Sequence, residues 1–108
     1  MNKKLRILCV CQKGNVRSVG IARRLKDKRH YRNVIAIGAE NTEEATLAML
    51  CDWAELILLA EPSLGSLLPR GTEKVVDEFT IGPDVYNNPI HTELQSIIGE
   101  QLNGVGLK

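Results

Sequence analysis

The chain has 108 residues, a length that suits one domain over 1–108 and leaves no room for a second. With 44% hydrophobic and 25% charged residues, a packed core is expected and disorder is not. The formal charge of +1 makes no electrostatic case for nucleic acid or membrane, and no apolar run nears the roughly 18 residues of a membrane span.

The opening MNKKLRILCV is basic, with a short apolar run and no small-residue cleavage site after it. It is expected to be a strand, not a signal peptide, in a cytoplasmic protein. LRILCV, residues 5–10, suits a strand buried on both faces. After a loop at 11–17, residues 18–29 put Val19, Ala22 and Leu25 opposite a basic side. That predicts an amphipathic helix, in which Gly20 lowers the propensity. VIAIGA, 34–39, is a second strand. Asn41 or Thr42 is set to cap a helix running to about Cys51, with Glu43 and Glu44 in its first turn. LILLA, 56–60, is a third strand. Pro62 opens a short helical turn with Leu64, Leu67 and Leu68, ended by Pro69. KVVD, 74–77, is a fourth strand. The loop EFTIGPDVYN leads to Asn88-Pro89, an asparagine cap with proline at the first helical position. Ile90, Leu94, Ile97, Ile98 and Leu102 make one apolar face of the last helix, and the tail NGVGLK should fray.

Strand and helix alternate four times. That predicts the α/β class: a four-stranded parallel sheet with right-handed crossovers and helices on both faces. Ligands of such sheets bind at the carboxyl ends of the strands, where loop 11–17 lies.

The three cysteines form no CxxC pair and have no nearby histidine, so neither a metal site nor a disulfide framework is expected. Cys9 and Cys51 suit core positions. Cys11 opens the stretch CQKGNVRS. Thiolate, not thiol, is the nucleophilic form, and two features favour it: the positive end of the following helix and the charge of Arg17. The N–H groups of Gln12, Lys13, Gly14, Asn15, Val16 and Arg17 can converge into an anion nest, with Gly14 supplying left-handed backbone. A phosphate would rest on them, held bidentately by Arg17, with Cys11 beneath it for in-line attack. Ser18 would donate a hydrogen bond to the thiolate. The plain alternative is a strand–helix turn with a solvated arginine. A cysteine six positions before an arginine is a weak signal, and the strand before and helix after supply the context.

These residues resemble the low-molecular-weight protein tyrosine phosphatase family, whose mark is C-x5-R-S directly after the first strand. PDVYNNP, 83–89, stands where the family has an Asp-Pro-Tyr loop, and CDWAELILLAEP, 51–62, is similar to its third-strand region. The resemblance implies a flavodoxin-like, three-layer fold with four parallel strands in order 2-1-3-4. It also implies phosphomonoester hydrolysis, of phosphotyrosine type, through a phosphocysteine, without metal or cofactor. The substrate would be a phosphorylated protein or a small aryl phosphate. The sequence departs from the family pattern in three places. Gly14-Asn15 stands one position later than the family's Gly-Asn pair. Val16 replaces a second cysteine common beside the arginine. Val19 and Val85 replace prolines.

The leaving oxygen needs a proton, a service typically worth 10² to 10⁴ in rate. Asp84 is the candidate acid by position and by match to the family, and Asp77 at the end of the fourth strand is the runner-up. As a bland alternative, Asp84 is a turn former in Gly-Pro-Asp. Tyr86 is the candidate substrate wall, or else a half-buried loop tyrosine. The loop after the second strand, AENT, offers no second aromatic wall. The basic run 23–32 suits a solvated helix face more than a steering surface. His30 and His91 show no partner in the sequence and read as surface residues, and Trp53 as a packing residue. Three rivals share the loop: a phosphate-binding module without turnover, an arsenate reductase and a phosphocarrier cysteine. The second lacks relay cysteines after residue 60; the third leaves Arg17 and Asp84 unexplained.

Overall fold

The computed structural model describes residues 2–108. In chain order it comprises β1 (Arg6–Cys11), α1 (Arg17–Asp27), β2 (Asn33–Gly38), α2 (Glu44–Trp53), β3 (Leu56–Leu59) and α3 (Thr92–Gly104). Two short 3-10 helices, Pro62–Leu67 and Thr72–Lys74, lie between β3 and α3. The parallel sheet has the order β2-β1-β3, with Leu8 opposite Ile35 on one side and Ile57 on the other. The crossovers β1–α1–β2 and β2–α2–β3 run in opposite directions along the sheet. With one handedness they put α1 and α2 on opposite faces. The central strand is therefore covered twice, and Ile7, Leu8, Cys9 and Val10 are all buried.

α3 packs beside α1. Gly20 permits the contact: a Cβ there would lie 2.8 Å from the Pro89 carbonyl oxygen and 3.2 Å from Ile98. The residue that weakens the helix in sequence terms is the one that lets a loop and a second helix close on it.

Among the described residues the expected fourth strand does not form, and the sheet has three strands. Of KVVD, Val75 is extended and bridges to the sheet, and Val76 follows it. The 3-10 turn Thr72–Lys74 winds up directly before them, and the Phe79 N–H closes back onto the Val76 carbonyl at 3.1 Å after them. What remains is one parallel bridge, Ile57 to Val75, with the Val76 N–H donating to the Ile57 carbonyl at 3.0 Å.

Three boundaries also differ from expectation. α2 starts at Glu44 without a side-chain cap, because Asn41 and Thr42 spend their side chains elsewhere, and it continues to Trp53. α3 starts at Thr92, not at Pro89. Asn88 closes a turn instead, accepting from the Ile90 N–H at 3.0 Å, and His91 caps the helix by accepting from the Glu93 N–H at 3.2 Å. Ile90 is thereby left 57% exposed. The C-terminal tail is tied down: Leu107 is buried, and its carbonyl accepts from Arg29 Nη1 at 2.8 Å.

Candidate active site

β1 ends at Cys11 and α1 begins at Arg17, so residues 12–16 form the whole connection between them. Gly14 lies at φ +78°, the left-handed region that glycine tolerates. Its N–H donates to Cys11 Sγ at 3.1 Å, and Ser18 Oγ lies 3.1 Å from the same sulfur. Cys11 and Ser18 are both buried. Asn15 and Lys13 are exposed, and Gln12, Gly14 and Val16 are half-buried.

The loop rests on the segment after β2. Gly38 is the contact point: a Cβ on it would lie 2.2 Å from the Lys13 carbonyl carbon, so backbone meets backbone there. The Ala39 N–H donates to the Cys11 carbonyl at 2.8 Å and the Glu40 N–H to the Gln12 carbonyl at 3.0 Å. Asn41 Nδ2 donates to the Lys13 carbonyl at 2.8 Å, and Gln12 Nε2 hydrogen-bonds the Glu40 carboxylate. Asn15 makes none of these contacts. The bracing asparagine comes from after β2 instead of from inside the loop.

Arg17 is 1% exposed. Burying a guanidinium is costly unless it is paired. Its Nη1 is doubly held, by the Gly82 carbonyl at 2.8 Å and by Glu61 Oε1 at 2.9 Å. Nε and Nη2 are buried with no hydrogen-bond partner. These two nitrogens form the edge of the guanidinium that takes two oxygens of one anion. Asp84 Oδ1 stands 3.8 Å from Nε, within ion-pair range but beyond a hydrogen bond. Asp84 is exposed.

The segment carrying Asp84 is anchored to the end of β3. The Ile81 and Gly82 N–H groups both donate to the Ala60 carbonyl, at 2.8 and 3.1 Å, and the Thr80 N–H donates to Gln101 Oε1 at 3.1 Å. Tyr86 is half-buried, and its ring lies 5.2 Å from that of His91. The runner-up acid, Asp77, lies apart from Arg17. It lines a cavity of about 320 Å³ against Leu59, Pro62 and Phe79, whose walls include none of residues 11–18. Cys9 and Cys51 are fully buried, and burial pushes both thiols above their ordinary range. Neither is poised for nucleophilic or relay chemistry.

Sequence reasoning missed Glu61, Gly38, Asn41 and the Gly82 carbonyl. Glu61 had a signal: it is an acid directly after the third strand, at the sheet end where the loop lies. The other three contacts depend on which loops the fold brings together.

No protein-family model and no curated protein matches the chain. Solved structures do match in fold. The Erwinia amylovora tyrosine phosphatase AmsI superposes with a TM-score of 0.65 at 18% identity, over 94% of this chain and 89% of that one. Vibrio vulnificus Wzb in complex with benzylphosphonate gives 0.69 at 17%, over 94% and 97%. The tyrosine phosphatase Wzb from Escherichia coli K30, in complex with phosphate, gives 0.67 at 17%, over 93% and 94%. AmsI and the Escherichia coli Wzb are tyrosine phosphatases, and the chain has the fold of these neighbours.

Proposed function

We propose that the chain is a cysteine-dependent phosphomonoester hydrolase of the tyrosine phosphatase type. The observation that carries this is Arg17: a buried guanidinium with one nitrogen clamped and its Nε/Nη2 edge unpartnered, beside a cysteine thiol at a helix start. A dianionic phosphate supplies the two acceptors that edge lacks. The Vibrio neighbour's benzylphosphonate is a ligand of that kind: a phosphonate with charged oxygens, joined to a phenyl ring through one methylene.

In the first step the Cys11 thiolate attacks phosphorus. An S–P bond forms as the P–O ester bond breaks, and Asp84 donates its proton to the departing oxygen. In the second step Asp84 takes a proton from water, the water oxygen attacks phosphorus, and the S–P bond breaks to release phosphate. Ser18 hydrogen-bonds the returning thiolate. The 12–17 N–H groups and Arg17 carry the charge of the equatorial oxygens, the dominant electrostatic contribution in such reactions. Glu61 and the Gly82 carbonyl orient Arg17 so that its open edge faces the phosphate. Tyr86 would flank the leaving group, which suits aryl esters and phosphotyrosine. No metal or cofactor takes part in either step.

The test is hydrolysis of p-nitrophenyl phosphate between pH 5 and 7 with chelator present. The wild type is expected to turn over, Cys11→Ser to be inactive, and Asp84→Asn to be slower by about 10² to 10⁴. An inert wild type that still binds vanadate would overturn the enzyme and leave a phosphate-recognition module. Asp84→Asn at full rate would remove the acid assignment alone.

A further inference from the structure

A second feature lies along the groove between α1 and α3. The groove has a volume of about 600 Å³. Arg23, Arg24, Asp27 and Lys28 wall it on one side, with Ile90 and Gln95 opposite. The chain is nearly neutral, yet six of its 14 lysines and arginines and only one of its 13 acids fall within residues 23–32. The one acid is already committed: Asp27 accepts from Arg23 at 3.2 Å.

Arg24 is the unusual member. Its Nε is buried without a hydrogen-bond partner, and no carboxylate pairs with it among the described residues. Its guanidinium lies on α3 where Gly99 leaves room: a Cβ at 99 would sit 2.8 Å from Nη2. Glycine inside a helix carries a stability cost against alanine. Here that cost accompanies an arginine held in place with no anion of its own. Gln95 is fixed too, donating to the Gly20 and Pro89 carbonyls at 3.0 and 2.8 Å. Ile90, 57% exposed, adds an apolar lip.

We propose that this groove docks an acidic peptide segment of the protein that presents the phosphate. The proposal rests on the phosphatase function for the direction the segment takes. α1 starts at Arg17, so Arg24 lies about 10 Å further along the helix axis. An extended chain advances about 3.3 Å per residue, so an acidic residue about three to five positions from the phosphorylated one meets Arg24 and Lys28. The α3 wall is continuous with the active-site mouth, since Ile90 precedes His91, whose ring packs on Tyr86. A short acidic segment meets these cations and a single carboxylate, Asp27, which is already paired with Arg23. A bilayer or a long polyanion would also meet the net negative charge carried by the rest of the chain.

The binding test uses a fluorescein-labelled peptide with four consecutive glutamates and no phosphate, followed by anisotropy. The wild type should bind it, more weakly as salt rises. The charge reversals Arg23→Glu and Lys28→Glu, both at exposed positions, should each weaken binding at least fivefold. Gly99→Ala, which displaces the Arg24 guanidinium, should do the same. Arg70→Glu, an exposed cation elsewhere, should not. In the kinetic arm, the KM of a phosphotyrosine peptide with a glutamate tract should rise at least fivefold in Lys28→Glu, relative to the KM for p-nitrophenyl phosphate. Equal binding by wild type and reversals overturns the proposal. So does tighter binding of anionic vesicles or short RNA than of the peptide. If the phosphopeptide is not turned over, the phosphatase reading fails while the anisotropy arm still decides the groove.

Discussion

The two halves of the candidate site are built in opposite ways. Around the carboxyl ends of β1 and β2, loop 11–17 and segment 38–42 touch backbone to backbone, and four hydrogen bonds tie them. Around the carboxyl end of β3, segment 75–91 has lost its strand, and Asp84 and Tyr86 extend from irregular chain. That chain is pinned at Ala60 and Gln101. Arg17 joins the halves: its backbone belongs to the first, while Glu61, Gly82 and Asp84 approach its side chain from the second. The proposed nucleophile, Cys11, sits in tightly braced local structure, and the proposed acid, Asp84, on a longer, less regular support. A phosphate-binding cradle needs fixed N–H groups, whereas a proton donor needs reach.

Gly38→Ala tests the rigid half. Its Cβ would lie 2.2 Å from the Lys13 carbonyl carbon and 2.5 Å from the Gly14 nitrogen, and both are backbone atoms. Neither can swing aside, so the loop itself must move. The substitution is expected to cost about 3 kcal/mol, the upper end of overpacking penalties. For a domain near 100 residues that lowers Tm by about 12 °C or more, readable by thermal denaturation. Phosphate affinity should fall with it. A Gly38→Ala protein with unchanged Tm would show that the two loops are not locked together.

Glu61→Ala tests the joint. It removes an acceptor 2.9 Å from Arg17 Nη1 and leaves a buried cation with less compensation. A hydrogen bond to a charged group contributes about 1.5 to 3 kcal/mol, so a stability loss of about 2 kcal/mol is expected. The kcat/KM for p-nitrophenyl phosphate should fall roughly tenfold through misorientation, about 1.4 kcal/mol. Glu61→Gln keeps an acceptor oxygen and should recover most of the rate. Equal losses in both variants would mean that Glu61 acts by charge and not by orientation.

The same contrast explains what was readable in the sequence. Cys11, Gly14, Arg17 and Ser18 lie within eight residues, so the strand–loop–helix that carries them, with Gly14 in left-handed backbone, was legible locally. β1, β2 and β3 are short apolar runs with no competing pattern. The fourth strand had the right composition, but Val75 and Val76 sit between two tight turns, and neighbouring turn geometry outweighs β propensity over so short a stretch. Asn88-Pro89 carried a genuine cap signal, yet the asparagine was used in a turn three residues early. The bracing by Asn41 and the clamp by Glu61 join segments about 28 and 44 residues apart in the chain, and no local pattern announces such contacts.

Gly82→Ala tests the irregular half and should have the smallest effect. Gly82 lies at φ +101°, outside the region that side chains favour, yet a Cβ there would meet nothing within 4 Å. Its cost is therefore conformational alone, about 1 kcal/mol, against the steric cost at Gly38. The carbonyl of Gly82 is one of the two acceptors holding Arg17 Nη1. If the backbone relaxes to negative φ, that carbonyl turns away and Glu61 holds Nη1 alone. Gly82→Ala should then lose about 1 kcal/mol in chemical denaturation with little loss of rate, while Gly82→Ala combined with Glu61→Ala should lose more rate than the separate effects predict. Strict additivity would show that the two acceptors do not share the task of orienting Arg17.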